Sequence, residues 1–173
     1  FTTLRAFRMA VKAQANFEKL KLKKIMNTHE FKTKVALLTH SYNLCQSFPS
    51  VNIETALKKL GVLPLTIESL PKDLILKEAE KRFSSLSWNY ERELLGAALH
   101  VMKNKLVDGV ILVANFGCGP DSLVCDYILR YAKRESNVPV TMIVTDEHTS
   151  DGGLMTRLEA FVDMVGQKKV LKK

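Results

Sequence analysis

The chain has 173 residues, of which 46% are hydrophobic and 25% charged, a composition typical of one globular domain that needs no disulfide or structural metal to bury its core. No apolar run is long enough for a signal peptide or a membrane-spanning helix. Three cysteines without the spacing of a disulfide framework favour a reducing compartment, so the sequence predicts a cytoplasmic location. Because the first residue is Phe1 rather than Met, we expect a piece of a longer protein.

The net charge of +8 is unevenly distributed. Lysine and arginine are concentrated in residues 1–34 and 168–173, whereas residues 35–167 contain more acidic than basic side chains. Nucleic-acid binding would therefore depend on the two end segments, which carry no known binding motif. Solvated helix faces explain these basic segments better than a nucleic-acid interface does.

Residues 1–30 predict a helix, because apolar side chains recur among lysines without Gly or Pro. Four short apolar runs follow, separated by helix-like segments. The predicted strands are 35–38, 62–66, 109–114 and 139–144, and the predicted helices between and after them are 52–60, 91–105, 121–134 and 156–165. Residues 68–90 predict a helix and then a loop that could cover the strand ends.

Each predicted strand is apolar on both faces, as in parallel sheets covered by helices on both sides. Alternating strands and helices imply right-handed crossovers. The predicted fold class is therefore α/β, with a mainly parallel sheet of about four strands flanked by helices, in which the first and third strands are adjacent. The predicted organisation is a basic N-terminal helix (1–34) packed on or leading into the domain, an α/β domain (35–167), and a lysine-rich tail (168–173).

Polar side chains follow three of the predicted strands, and ligands of parallel α/β proteins bind beyond the carboxyl ends of strands. The candidate binding residues are His40, Tyr42 and Asn43 after the first strand, Cys118, Asp121 and Ser122 after the third, and Asp146, Glu147 and His148 after the fourth. Because parallel strands share a direction, we expect Cys118, His40 and the turn at 146–148 to line one cleft. Each of the two histidines could be an acid/base group or a ligand, or only a hydrogen-bonding surface residue.

Cys118 is the most informative single residue. Gly117 and Gly119 flank it, so a bound group could approach the backbone closely. Pro120 suits the first turn of a helix, and the positive end of a helix dipole favours a thiolate, the form needed by a nucleophile or a metal ligand. The alternative is a small buried hydrophobic residue in a tight turn.

Three types of cysteine enzyme are disfavoured by the residues around Cys118. A phosphatase loop would need Arg where Val124 stands, a redox Cys-x-x-Cys motif would need Cys at Asp121, and the residues two positions away are too large for a nucleophile elbow. Metal ligation remains, although one cysteine cannot hold an iron–sulfur cluster. Cys45 is the better second thiol, and Cys125 is expected to be a core residue.

Several motifs resemble those of acyl-CoA dehydratase activase-related proteins, which are relatives of the 2-hydroxyacyl-CoA dehydratase subunits. The matching segments are His-Ser-Tyr-Asn-Leu at 40–44, Val-Asn at 51–52, Lys-Leu-Gly-Val at 59–62, Phe-Gly-Cys-Gly-Pro-Asp-Ser-Leu at 116–123, Asp-Glu-His-Thr at 146–149 and Thr-Arg-Leu-Glu-Ala-Phe at 156–161. The likeness extends from about residue 35 to residue 165. Two positions depart from the family pattern: Thr39-His40-Ser41 replaces the usual Gly-His-Pro, and Cys45 replaces an aromatic residue.

The resemblance implies a Rossmann-like domain, one of two or more in a larger cytoplasmic protein or homo-oligomer. Relatives bind a 4Fe–4S or double-cubane cluster through cysteines, receive electrons from an ATP-dependent activase and act on acyl-CoA substrates. Of their cluster ligands only Cys118 maps onto this chain. We therefore expect the isolated chain to be inactive and to lack a cluster, and we expect no membrane or nucleic-acid partner.

Three hypotheses follow for the function. The first is one domain of an iron–sulfur electron-transfer or reductase component, in which Cys118 is a metal ligand. The second is a non-catalytic domain that binds an acyl-CoA or nucleotide-like ligand at the same edge of the sheet. The third is a basic interaction module formed by the two end segments.

Overall fold

The computed structural model describes residues 2–28, 30–45 and 52–170. Its centre is a four-stranded, all-parallel sheet in the order β2-β1-β3-β4. The strands are β1 (Thr33–Leu38), β2 (Val62–Thr66), β3 (Gly109–Asn115) and β4 (Val140–Thr145). The predicted α/β fold is confirmed, and each strand begins and ends close to the apolar run that predicted it.

Helices lie on both sides of the sheet. In the described part of the chain they are α1 (Thr2–Met26), α2 (Ser41–Cys45), α3 (Ile53–Lys59), α4 (Lys72–Glu80), α5 (Asn89–Lys103), α6 (Gly119–Glu135) and α7 (Asp151–Val170). A 3-10 helix, Ile67–Ser69, leads from β2 towards α4. The predicted N-terminal helix is thus present, as is the predicted helix-then-loop between β2 and α5.

The order of the strands reverses between β1 and β3. The chain first adds β2 on one side of β1, then crosses to β3 on the other side and continues outward to β4. Val35 pairs with Gly109 and Leu38 with Leu112, which confirms that the first and third predicted strands are adjacent. Such a reversal is the topological switch point at which parallel α/β proteins bind their ligands.

Both faces of the sheet are buried. Along β1, Ala36 and Leu38 belong to the core on one face, and Val35 and Leu37 belong to the core on the other. Helices α4, α5 and α6 contribute to the first core, and α3 and α7 contribute to the second. This two-sided burial explains why the strands read as continuous apolar runs rather than alternating ones.

Helix α1 is largely exposed, including the apolar side chains of Leu4 and Phe7. Its contact with the domain involves Glu18, which is buried. The Glu18 carboxylate accepts hydrogen bonds from Gln14 Nε2 at 3.0 Å and from the backbone N–H of Lys72 at 3.1 Å. The bond from Lys72 attaches the second half of α1 to the start of α4, whereas the bond from Gln14 lies within α1.

Helix α7 begins at Asp151, five residues before its predicted start. The adjacent Gly152 and Gly153 resemble a helix-breaking turn in the sequence. In the structure Ser150 compensates, because its hydroxyl oxygen accepts a hydrogen bond from the backbone N–H of Gly153 at 3.3 Å. The polar loop after β4 is therefore shorter than predicted.

Some predicted features lie outside the described residues. These are the side chain of Cys45, residue 51 of the matching motif at 51–52, and residues 171–173 of the predicted lysine-rich tail. Helix α7 includes the tail positions 168–170. Within the described ranges, every helix is too short or too polar to cross a membrane.

Candidate functional site

The carboxyl ends of β1 and β3 carry the predicted binding residues to the switch point. Strand β1 ends at Leu38, and the following Thr39 and His40 are both buried. Strand β3 ends at Asn115, and a tight turn leads to Cys118, the N-cap residue of α6. Because adjacent strands lie only about 4.8 Å apart, these two exits place their side chains next to each other.

His40 and Asp121 form a buried pair across the switch point. Nε2 of His40 lies 2.8 Å from Oδ1 of Asp121, and the two residues are 9% and 1% exposed. Asp121 is in the first turn of α6, where the helix dipole stabilises a carboxylate. Its second oxygen, Oδ2, is buried without a hydrogen-bond partner among the described residues, and such an atom costs free energy unless something else binds it.

Neighbouring side chains fix the orientation of the His40 ring. Tyr42 stacks on it with ring centroids 5.1 Å apart and an interplanar angle of 11°, and Tyr90 meets it edge-on at 5.1 Å. The hydroxyl of Thr39 donates to the carbonyl of Val113 at 2.8 Å, and Asn43 Nδ2 donates to the Thr39 hydroxyl at 2.8 Å. The loop after β1 is thereby attached to β3.

Glu91 joins this pair, although sequence reasoning did not identify it. It lies in the first turn of α5 and is 7% exposed. One ligand atom each from His40, Glu91 and Asp121 lie within 4.8 Å of one another; we call these three residues the buried triad. The sequence contained one indication of its burial: Glu91 lies three residues before Leu94, so the two side chains share the buried face of the helix.

Cys118 lies beside Asp121 at a point where the backbone leaves open space. Gly117 has a φ of +79°, a conformation that side chains rarely adopt. A Cβ at Gly117 or at Gly119 would meet no atom within 4 Å, so neither glycine is needed for close packing within the described chain. The half-buried sulfur between them is accessible to a bulky group from outside.

The electrostatic environment of Cys118 differs from the prediction. The backbone N–H of Asp121 lowers the pKa of the thiol, as a helix start should. Burial and the negative charges of Asp121 and Glu91 act in the opposite direction and outweigh that bond, so the pKa lies above its ordinary value. The expected preference for a thiolate is therefore wrong, and a cation at the sulfur must displace a proton.

A chain of hydrogen bonds connects the ends of β4, β3 and α2. The hydroxyl of Thr145 donates to Oδ1 of Asn115 at 3.0 Å, and Nδ2 of Asn115 donates to the hydroxyl oxygen of Tyr42 at 2.9 Å. Burial, followed by the charge of Asp121, raises the pKa of Tyr42. Tyr42 therefore stays neutral while it orients His40 from one side.

The turn after β4 makes its recorded hydrogen bonds within itself. Oδ1 of Asp146 accepts from the backbone N–H of His148 at 3.0 Å and from the Thr149 hydroxyl at 2.9 Å. The Thr149 hydrogen bond is the main reason why the pKa of Asp146 is lowered. Glu147 and His148 are exposed, and Nε2 of His148 lies 3.7 Å from Oε1 of Glu147. On α6, Ser122 is also exposed, and its hydroxyl donates to the carbonyl of Cys118 at 2.7 Å.

A cleft of about 260 Å³ has His40 among its lining residues. It is lined by residues of α1, the loop after β1, the segment between β2 and α4, and the start of α5. Cys118 is not among its lining residues. The turn at 146–148 does not line it either, so of the residues expected to line one cleft, His40 alone lines this one in the described chain.

The thiols of the described residues differ in their fitness to bind an iron–sulfur cluster. Cys118 fits as one ligand, because it is partly exposed and both neighbouring glycines have open space beside them. Cys125 is 1% exposed within the core, and burial raises its pKa to about 12. Clusters are usually held by several thiolates, so the two cysteines with described side chains would not complete a ligand set.

Comparison with known families gives a match to this part of the chain. The family described as 2-hydroxyglutaryl-CoA dehydratase, D-component, matches residues 79–165, about half of the chain. The match contains Glu91, Cys118 and Asp121, and ends five residues before the end of α7. Searches of curated proteins and of solved structures gave no significant match. The resemblance noted in the sequence is confirmed, and the chain belongs to the 2-hydroxyglutaryl-CoA dehydratase D-component family.

Proposed function

We propose that this chain is one domain of an iron–sulfur electron-transfer or reductase component of a 2-hydroxyacyl-CoA dehydratase-type system, and that Cys118 supplies one thiolate ligand to its cluster. The observation that carries the proposal is the position of Cys118. It lies at the switch point, in the matched part of the chain, with open space beside both neighbouring glycines.

The cluster, when bound, would accept and pass on single electrons, and an ATP-dependent activase would supply them. The chain's own residues would position and shield it. Asp121 and Ser122 lie in the same helical turn as Cys118, and His40 is held against Asp121. Tyr42 and Asn43 fix the loop after β1, which keeps the site in one geometry.

We further assign the polar residues at this edge of the sheet to binding of the cofactor or of an acyl-CoA substrate. The assigned residues are His40, Tyr42, Asn43, Asp121, Ser122, Asp146, Glu147 and His148. Support comes from their shared location after β1, β3 and β4, and from the exposure of Glu147 and His148, which leaves their side chains accessible to a ligand.

The remaining cluster ligands would come from outside these residues. Further domains of the same polypeptide or a second copy of the chain could bring additional thiolates to the surface beside Cys118. This arrangement would leave the cluster at an interface, where an activase could approach it.

The full-length protein, purified without oxygen, tests the proposal. Cys118→Ala should lose cluster-dependent reduction by the activase while the fold persists, because the turn at Cys118 packs loosely. Cys125→Ala is the matched control on the same helix and should keep its redox chemistry, with a modest loss of stability. The measurement is the electron paramagnetic resonance signal after reduction with activase and ATP. The assignment would be contradicted if Cys118→Ala kept the reduced-cluster signal and Cys125→Ala lost it.

A further inference from the structure

The buried triad brings three ionisable side chains from three separate elements to one point. His40 follows β1, Glu91 is in the first turn of α5, and Asp121 is in the first turn of α6. Their ligand atoms lie within 4.8 Å of one another, and all three residues are at least nine-tenths buried. Neither the family match nor the proposed role of Cys118 requires these three groups to meet.

The triad has more negative charge than its protein surroundings balance. Two carboxylates share the space, and His40 is the only partner that makes an ion pair with either of them in the described ranges. Nearby Lys72 is instead paired with Glu93. Burying unpaired carboxylates is costly; a proton on each carboxylate would offset that cost, and so would a single cation bound between them.

The position of the unsatisfied atom indicates where a positive group would bind. Oδ2 of Asp121 is buried and lacks a hydrogen-bond partner, while Oδ1 of the same carboxylate faces Nε2 of His40. The Glu91 carboxylate makes no hydrogen bond with the other described residues. Two carboxylates and one imidazole thus bring their ligand atoms within 4.8 Å of one another, close enough to share one positive group.

From these observations we infer that His40, Glu91 and Asp121 bind one divalent transition-metal ion, such as Zn²⁺ or Mn²⁺, at a site separate from the Cys118 sulfur. One imidazole and two carboxylates suit such ions better than Mg²⁺ or Ca²⁺, which prefer all-oxygen ligand sets. A neutral imidazole would bind through Nε2, and the ion would replace the proton between His40 and Asp121.

The distances are compatible with a shared ion. Bonds to zinc are about 2.0–2.2 Å long, so two ligand atoms on one ion lie up to about 4 Å apart. The 2.8 Å between His40 Nε2 and Asp121 Oδ1 is a hydrogen-bond distance, so these two atoms would move apart by about 0.5 Å to hold a tetrahedral ion. The largest separation in the triad, within 4.8 Å, needs a side-chain movement of about 1 Å on the same bond lengths.

The surroundings of the triad also suit a metal ion. The two tyrosine rings that flank His40 limit its rotation, and restraint of a histidine ligand by its neighbours strengthens metal binding. Among the three triad residues, His40 alone lines the cleft of about 260 Å³ in the described chain, so an ion in that cleft would meet His40 first.

Zinc titration of the tag-free, metal-stripped chain, followed by calorimetry, tests the inference. Wild type should bind one Zn²⁺ per chain, and Glu91→Gln should weaken binding by at least about tenfold. The control that should bind as wild type does is Glu93→Gln, which changes a carboxylate on the same helix that is paired with Lys72. Cys118→Ala tests separately whether the neighbouring thiol is needed for binding.

Thermal unfolding gives a second readout that does not depend on the calorimeter. Zn²⁺ should raise the Tm of wild type, because an ion that binds the folded state stabilises it. The metal-free Glu91→Gln variant should be folded and at least as stable as metal-free wild type, since it loses a buried charge, but Zn²⁺ should not raise its Tm. The inference is overturned if wild type binds no Zn²⁺, if Glu91→Gln binds as wild type does, or if Cys118→Ala abolishes binding.

Discussion

Cys118 and Cys125 lie two turns apart on the same helix but have opposite environments. Cys125 packs into the core beneath α6, where burial and the charge of Asp121 raise its pKa to about 12. Cys118 is half-buried at the start of the helix and next to open space. The contrast assigns packing to Cys125 and leaves Cys118 as the residue available for chemistry.

The two thiols should therefore react differently with iodoacetamide in the native chain. Cys118 should be alkylated, at a rate below that of a free cysteine because its pKa is raised. Cys125 should remain unmodified until the chain is unfolded, since it is both inaccessible and protonated. Peptide mapping by mass spectrometry separates the sites. Equal modification of both in the native state would show that α6 does not bury Cys125.

His40, Cys118 and Asp121 could be predicted from the sequence because each follows a predicted strand at a known ligand-binding edge. Glu91 could not be found in the same way. It lies on a helix that is preceded by a long loop, and only the packing of α5 brings its carboxylate to the switch point. The raised pKa of Cys118 was also missed, because burial and the charge of Asp121 outweigh the lowering effect of the Asp121 backbone N–H, and Glu91 makes only the smallest contribution.

Helices α4 and α5 cross closely at Gly96. A Cβ at this position would clash with the backbone carbonyl of Ile75, so an alanine must push the helices apart. We expect Gly96→Ala to lower the free energy of unfolding by about 1–3 kcal/mol, measured by urea denaturation. Because α5 carries Glu91, the same variant should also weaken Zn²⁺ binding at the buried triad.

Gly166 provides the matched control for this helix crossing. It lies within α7, and a Cβ there would meet no atom within 4 Å. Gly166→Ala should leave stability unchanged or raise it by about 0.5–1 kcal/mol, because alanine favours the helix. If both variants lose the same stability, the cost at Gly96 does not arise from contact with Ile75.

The elements themselves could largely be predicted, because two-sided burial leaves an uninterrupted apolar run at each strand. The start of α7 was the main error. Its two glycines suggested a loop, whereas the Ser150 hydroxyl and the backbone of the preceding turn support a helix from Asp151. Such a hydrogen bond depends on the geometry of one side chain, and it cannot be predicted from the spacing of apolar residues along the sequence.

On the scale of the whole molecule, the fold brings the candidate metal-binding residues together at one edge of the sheet. The strand reversal between β1 and β3 gathers the buried triad and Cys118 at one edge of the sheet. The buried triad has its ligands within the chain, whereas a cluster at Cys118 requires thiolates from elsewhere. The two metal sites that we propose therefore differ in whether this chain alone can fill them.

The iron and acid-labile sulfide content of two oxygen-free preparations tests the central claim most directly. One is the chain of residues 1–173, and the other is the full-length protein that contains it. The account predicts a folded, colourless chain without iron and sulfide, and a full-length protein with stoichiometric amounts of both that Cys118→Ala strongly reduces. Stoichiometric iron and sulfide in the isolated chain, or neither in the full-length protein, would contradict it.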